Sequence, residues 1–262
     1  MRTATAILAV LAVVVTSRGL GADLADPRAD PYFAVPPLRA LLDWVTLRFT
    51  FDADQMLPDM AVGSSEVAVR GTPQFADGVS GRALVVGGES GAGTIARALN
   101  VPLESRGAVS LWLCPVAWTH TNGPNTEFVM TNNASVYVER QGPMHNEEGV
   151  VTRQESLLYL MLSPVTGNNC LAFGTEDWPL GQWRLLVANW SWPAMSFSLD
   201  GGEFQSVTVR ESPSAEMFGD LVIGSSGGEK TLMDELTVYR RPLTREEART
   251  LFETFRPQAA AP

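Results

Sequence analysis

"TLMDELTVYRRPLTREEARTLFE", residues 231–253, carries a strand, a turn and a helix start in one run. Alternation over its first nine residues sends Leu232, Asp234, Leu236 and Val238 to one side and Met233, Glu235, Thr237 and Tyr239 to the other. Asp234 then stands in line with an apolar set. A bare buried carboxylate is costly, so this one requires a cation, a cage of hydrogen bonds or an exposed edge. Beyond the turn, Thr244 and Glu247 have the spacing of a capping box, and Leu243, Ala248, Leu251 and Phe252 form one apolar stripe. The spacing predicts a helix at about 244–254.

Working back from this ending, the chain reads as strand after strand. Candidate strands are 46–52, 82–88, 108–115, 126–131, 134–140, 156–162, 170–174, 182–190, 195–201, 220–225 and 232–240. Turn chemistry such as "TNN" and "DGG" separates some of them. The 23 Gly and 17 Pro fit such a turn-rich chain. Short strands at this spacing describe a sandwich or barrel, all-β with one terminal helix as decoration. The domain runs from about 46 to 256, and 257–262 is a tail. Residues 23–45, Pro-rich with a short amphipathic piece at Leu38–Trp44, read as a leader that lays one helical turn on the domain.

The first 22 residues have Arg2, an apolar run Ala6–Val15 and small residues up to Ala22, which is the pattern of a secretory signal. An uncleaved anchor is the competing reading, and the apolar core is short for it. Cleavage removes Arg2 and Arg18 and no acid, taking the formal charge from −10 to −12. Such an acidic surface disfavours nucleic acid and anionic membranes as partners. The expected location is secreted, periplasmic or at the cell surface. Cys114 and Cys170 are the only cysteines. Export permits one disulfide between them, and two buried free thiols remain the alternative. Two Cys and two distant His make no zinc cluster.

Few residues point to chemistry. Gly224-Ser225-Ser226-Gly227-Gly228 fits the G-x-S-x-G formula, but a strand follows it and both histidines, His120 and His145, lie upstream. It reads as a hairpin loop. The strand runs carry Glu127, Glu139, Glu155 and Glu235, with no two acids spaced two apart on one strand face. Asp52 and Asp54 have that spacing, but at a strand end. Nothing marks a catalytic dyad, and the catalytic assignment is none. Trp112 and Trp183 lie inside strands and read as core. Trp118, Trp178 and Trp192 fall in loops, where a ring could stack on a sugar or pack onto its own domain. Asn133-Ala-Ser and Asn189-Trp-Ser are glycosylation sequons.

The segments "LRFTFDAD", "PQFADGVSGRALVVGG", "GAVSLWLCP", "GQWRLLVANWS", "MSFSLDGG", "LVIGSS" and "LMDELTVYRRPLTREEARTLF" occur in the order seen in laminin G-like domains. The chain thus resembles the concanavalin A-like lectin/glucanase superfamily over nearly all of 46–256. The resemblance implies a jelly-roll sandwich of two curved antiparallel sheets. It also implies a structural calcium held by Asp234, Asp52 and a backbone carbonyl at Gly88, Ca²⁺ being an ion of oxygen ligands. An Asp234 that caps loop amides with no metal is the alternative. The Glu-x-Asp motif of the superfamily's glucanases does not occur in this chain.

These features favour an exported, non-catalytic recognition domain binding carbohydrate through Trp118 and Trp192. The rivals are a glycoside hydrolase or polysaccharide lyase, and a module that binds an extracellular or cell-envelope protein. No membrane partner is expected after signal cleavage.

Overall fold

A computed structural model describes residues 31–255, except 134, 149, 154, 156, 163–168 and 210–212. The signal segment, the first part of the leader and the tail lie outside these residues. Two antiparallel sheets face one another, as the jelly-roll expectation required. The larger, nine-stranded sheet has the order Gln205–Thr208, Ala194–Leu199, Arg184–Ser191, Arg106–Pro115, Thr231–Tyr239, Val45–Phe49, Met60–Ala61. Arg82–Val86 also pairs with Thr231–Tyr239, and Gln74–Asp77 with Arg82–Val86. The seven-stranded sheet runs Asn169–Gly174, Leu157–Leu162, Val136–Gln141, Thr126–Thr131, Leu221–Ile223, Ala92–Ile95, Val67–Arg70.

Each of the eleven strand runs read from the sequence is a strand. The central ones are long and apolar because they are buried on both faces. In Arg106–Pro115 every residue after Arg106 is buried. Leu111 and Leu113 face the space between the sheets, while Trp112 faces away from it. The opposite face of the large sheet is covered by the leader and the last helix. Short helices Pro31–Ala34 and Pro36–Arg39 bury Phe33 and Leu38, with Leu41 just after them, against Ala248 and Leu251. The leader is therefore part of the packed domain from Pro31 onward, more than the single turn expected.

The terminal helix, Arg245–Phe255, follows its sequence signals. Thr244 Oγ1 accepts from the Glu247 amide, and the Glu247 carboxylate accepts from the Thr244 amide, at 3.2 and 2.8 Å. Glu247 also holds Arg241, 2.6 Å away.

The last strand corrects the expected alternation. Asp234 stands opposite Trp112, but Thr237 stands opposite Ser110, so the last strand carries one residue more than its partner here. This is a β-bulge, and Glu235 takes a left-handed φ of 53° within it. The extra residue reverses the phase: Met233, then Leu236 and Val238, face the core between the sheets. Asp234 is thus not in line with Leu236 and Val238. Arg48, over the Phe33 ring, forms a buried ion pair with Glu235 at 2.8 Å on the helix-covered side.

Candidate functional site

The turn 78–82 meets two carboxylates. Asp234 is wholly buried and accepts from the Ser80 amide (3.1 Å) and from its own neighbour's amide, Glu235 (2.7 Å). Asp52, exposed at its strand end, accepts from the Arg82 amide at 2.8 Å. Glycine is required here, because a Cβ on Gly78 would run into the Asp234 carboxylate and one on Gly81 into that of Asp52. Burial, then the charges of Glu235 and Asp52, push the Asp234 carboxyl up to about 8, against the lowering effect of its two amide donors.

This donor set fits a hard divalent cation in kind. A carboxylate has about four acceptor positions, and the amides use only two of those on Asp234. Gly88 does not belong to it. The turn at Asp234 precedes strand Arg82–Val86, whereas Gly88 follows it, roughly 20 Å along the chain. There the Gly88 amide donates to the Gly228 carbonyl at 3.1 Å. Among the described residues no three His, Cys, Asp or Glu side chains gather as a metal cluster.

The tryptophan platform is corrected by burial. Trp118 is 0% exposed, stacks edge-on to Trp178 and donates from Nε1 to Thr231 Oγ1 at 2.8 Å. The Arg140 guanidinium lies 4.8 Å from its ring centre. Trp192 is half-buried, packs against the main core and donates from Nε1 to the Leu103 carbonyl at 2.6 Å. The two also cannot act together. Trp118 follows Pro115, while the hairpin that carries Trp192 begins where Ser191 pairs with Arg106. They occupy opposite ends of strand Arg106–Pro115, roughly 30 Å apart. Loop position in the sequence does not reveal that a ring folds back.

Of the two alternatives left open for the cysteines, the free thiol is found at Cys114. Its strand lies in the large sheet and that of Cys170 at an edge of the small one. The Cys170 side chain lies outside the described residues. His120 is half-buried and His145 is exposed.

A second feature was not read from the sequence. The leader and terminal helices both pack on the large sheet, so the outer face of the small sheet carries neither of them. Thr94, Val222, Met130 and Tyr137 lie in register across it, each half-buried. One row along, Glu127 stands directly opposite Glu139 on the neighbouring strand. Phe128 and Val138 face the core, so both glutamates face outward. Glu139 is only 6% exposed, and burial together with the Glu127 charge pushes its carboxyl up to about 7. Eleven residues separate them in the chain, so no local spacing marks the pair.

Residues 87–249, more than half of the chain, match a laminin G-type family model described as the concanavalin A-like lectin/glucanases superfamily. Solved structures of similar fold include the receptor binding domain of botulinum neurotoxin mosaic serotype C/D. That match has a TM-score of 0.65 at 11% identity, over 82% of this chain and 51% of the other. Another is the binding domain of botulinum neurotoxin DC in complex with rat synaptotagmin II (0.62, 11%, 82% and 52%). A third concerns botulinum neurotoxin type C, whose cell entry is described as dependent on two ganglioside molecules (0.63, 12%, 84% and 53%). The chain spans about half the length of these structures, and at such identity the likeness shows the fold alone. No curated protein matches the sequence.

Proposed function

The chain belongs to the laminin G-like part of the concanavalin A-like lectin/glucanase superfamily, and on that premise we propose that it is an exported, non-catalytic recognition domain for carbohydrate. The observation that carries this reading is the outer face of the small sheet. It presents Thr94, Val222, Met130 and Tyr137 in register, with two glutamates beside them, without the helices that cover the other sheet. The ganglioside dependence of one similar neurotoxin supports a sugar ligand. The synaptotagmin complex of another favours a protein partner as the second reading. A glycan array on the mature protein tests the first. Sugar binding that is lost when Tyr137 or Met130 is changed to Ala, with the melt unchanged, supports it, and an array with no binding removes it. Release of reducing sugar that survives repurification would overturn the non-catalytic part.

We further propose that calcium bridges Asp52 and Asp234, with backbone carbonyls and water completing its shell. Two carboxylates that meet at one turn, one of them buried and pushed up to about 8 by burial and neighbouring negative charge, support this. Calcium at a hundredfold over its dissociation constant should stabilise the fold by about 2.7 kcal/mol, and EDTA should withdraw that. Superimposed melting curves in calcium and EDTA retire the ion.

A further inference from the structure

From the acid pair on the small sheet we infer that this face binds a cationic nitrogen, and that its carbohydrate ligand is an amino sugar with a free amine. The inference rests on the carbohydrate reading above and names the sugar class.

Three observations carry it. Glu127 and Glu139 are direct cross-strand partners, which sets their Cβ atoms about 5 Å apart on one side of the sheet. Glu139 is more than nine-tenths buried at the floor of the face, and Glu127 is half-buried beside it. Among the described residues no hydrogen bond or ion pair reaches either carboxylate. A carboxylate on a residue only 6% exposed, held by no basic side chain and next to a second acid, is a costly arrangement that an arriving cation relieves.

The neighbouring charges are committed elsewhere. Arg140 points to the opposite side and donates to the carbonyls of Thr119, Asn122, Gly123 and Pro124. Arg153, from the strand Val151–Arg153, donates to Gln141 Oε1 (3.1 Å) and to the Gly142 carbonyl (2.8 Å). Tyr159 stands opposite Glu139 on the other flanking strand.

Ligand count decides what kind of cation. Calcium takes six to eight oxygens and magnesium a near-ideal octahedron, whereas two carboxylates with no third acid serve neither well. An ammonium group has three donors and is satisfied by two carboxylates and one further acceptor. A sugar amine projects from the edge of a pyranose chair, whose C–H face suits a sheet face with Tyr137 two residues along the same strand.

The test is binding of two glucosamine hexasaccharides by calorimetry with the full mature chain, one fully deacetylated and one fully N-acetylated. Near neutral pH the deacetylated form should bind at least about tenfold more tightly, a difference of about 1.4 kcal/mol. Glu139→Gln should erase that preference while keeping the fold, since its neutral amide resembles the protonated acid. The preference should also fade in acid as Glu139 takes up a proton, and again in alkali as the amine loses one. Equal binding of both oligosaccharides, or a preference that survives Glu139→Gln and Glu127→Gln, overturns the inference. Binding of other glycans on the array with neither hexasaccharide bound overturns it too, and leaves the carbohydrate reading standing. No binding of any glycan removes both. Binding of oligolysine alone would reassign the pair to a protein ligand and overturn the amino-sugar assignment.

Discussion

Asn189 grips Leu243 with both ends of its amide: Nδ2 donates to the Leu243 carbonyl at 2.9 Å, and Oδ1 accepts from the Leu243 amide at 3.0 Å. The pair ties a strand of the large sheet to the residue that leads into the terminal helix. Leu243 itself is buried beneath that helix. The Asn189 sequon is therefore occupied by structure.

Two consequences can be measured. Asn189→Ala leaves a buried amide and carbonyl without partners and should cost about 2–4 kcal/mol in a denaturant melt. Asn189→Asp keeps the acceptor but sets a charge against the Leu243 carbonyl, so it should cost at least as much. A melt unchanged in both variants would show that the terminal helix is held without this clamp. Asn189 should also stay unglycosylated in a eukaryotic host, checked by peptide mass mapping, because an oligosaccharyl transferase needs the amide exposed.

Arg140 predicts a second large effect. It is fully buried, stacked on Trp118, and gathers four carbonyls of the loop 119–124. Lysine has a single nitrogen and cannot span this set. Arg140→Lys should lose about 3 kcal/mol or more, and protease cutting should begin within 119–125. Native-like protease resistance in that loop would contradict the role.

The eleven apolar strands and the helix were legible because each carries a local signal: β-rich runs between Gly and Asn turns, and the Thr244–Glu247 box. The strands that escaped notice, such as Val67–Arg70 and Ala92–Ile95, are short and Gly-containing or exposed, and exist by pairing with a neighbour. The site was less legible. A bulge at Glu235 is one residue of register, which no alternation rule marks in advance. Glu127 and Glu139 meet only because two strands pair, and Trp118 turns inward because Thr231 and Arg140 await it. Asp234 was the exception: a carboxylate in an apolar strand announced its own need for compensation. Gly88 failed as its ligand because the family resemblance does not tell which end of strand Arg82–Val86 faces the aspartate.

Cys114 is buried, and that burial pushes its thiol up to about 11. The thiolate is the reactive form, so the native protein should resist alkylation at Cys114 near neutral pH and react once unfolded. Peptide mapping after pulse alkylation, with and without denaturant, reads this directly. Full modification of Cys114 in the native state would contradict the burial, and protection that persists in denaturant until a reductant is added would indicate a disulfide.

The last prediction concerns Asp234 and pH. Its folded value, about 8, lies above the ordinary carboxylate value near 4, so between these limits the folded chain holds the proton more tightly than the unfolded one. Stability from this group is present below about pH 4 and declines as the pH rises toward 8, with a slope of at most about 1.4 kcal/mol per pH unit. Glu139 shifts in the same direction, so the raw pH profile of the wild type mixes the two. Asp234→Asn separates them. Asparagine cannot titrate, and in EDTA the variant should lose stability less steeply with pH than the wild type. At low pH the variant should be the weaker of the two, since its Nδ2 meets an amide that one carboxylate oxygen had accepted from. Calcium should act in the opposite sense, displacing the proton and stabilising the wild type more at pH 8 than at pH 5. Denaturant melts of both proteins across that range, each with calcium and with EDTA, give the four curves required. Parallel wild-type and variant profiles in EDTA would mean that Asp234 is already ionised in the fold and that its amide cage alone compensates the charge.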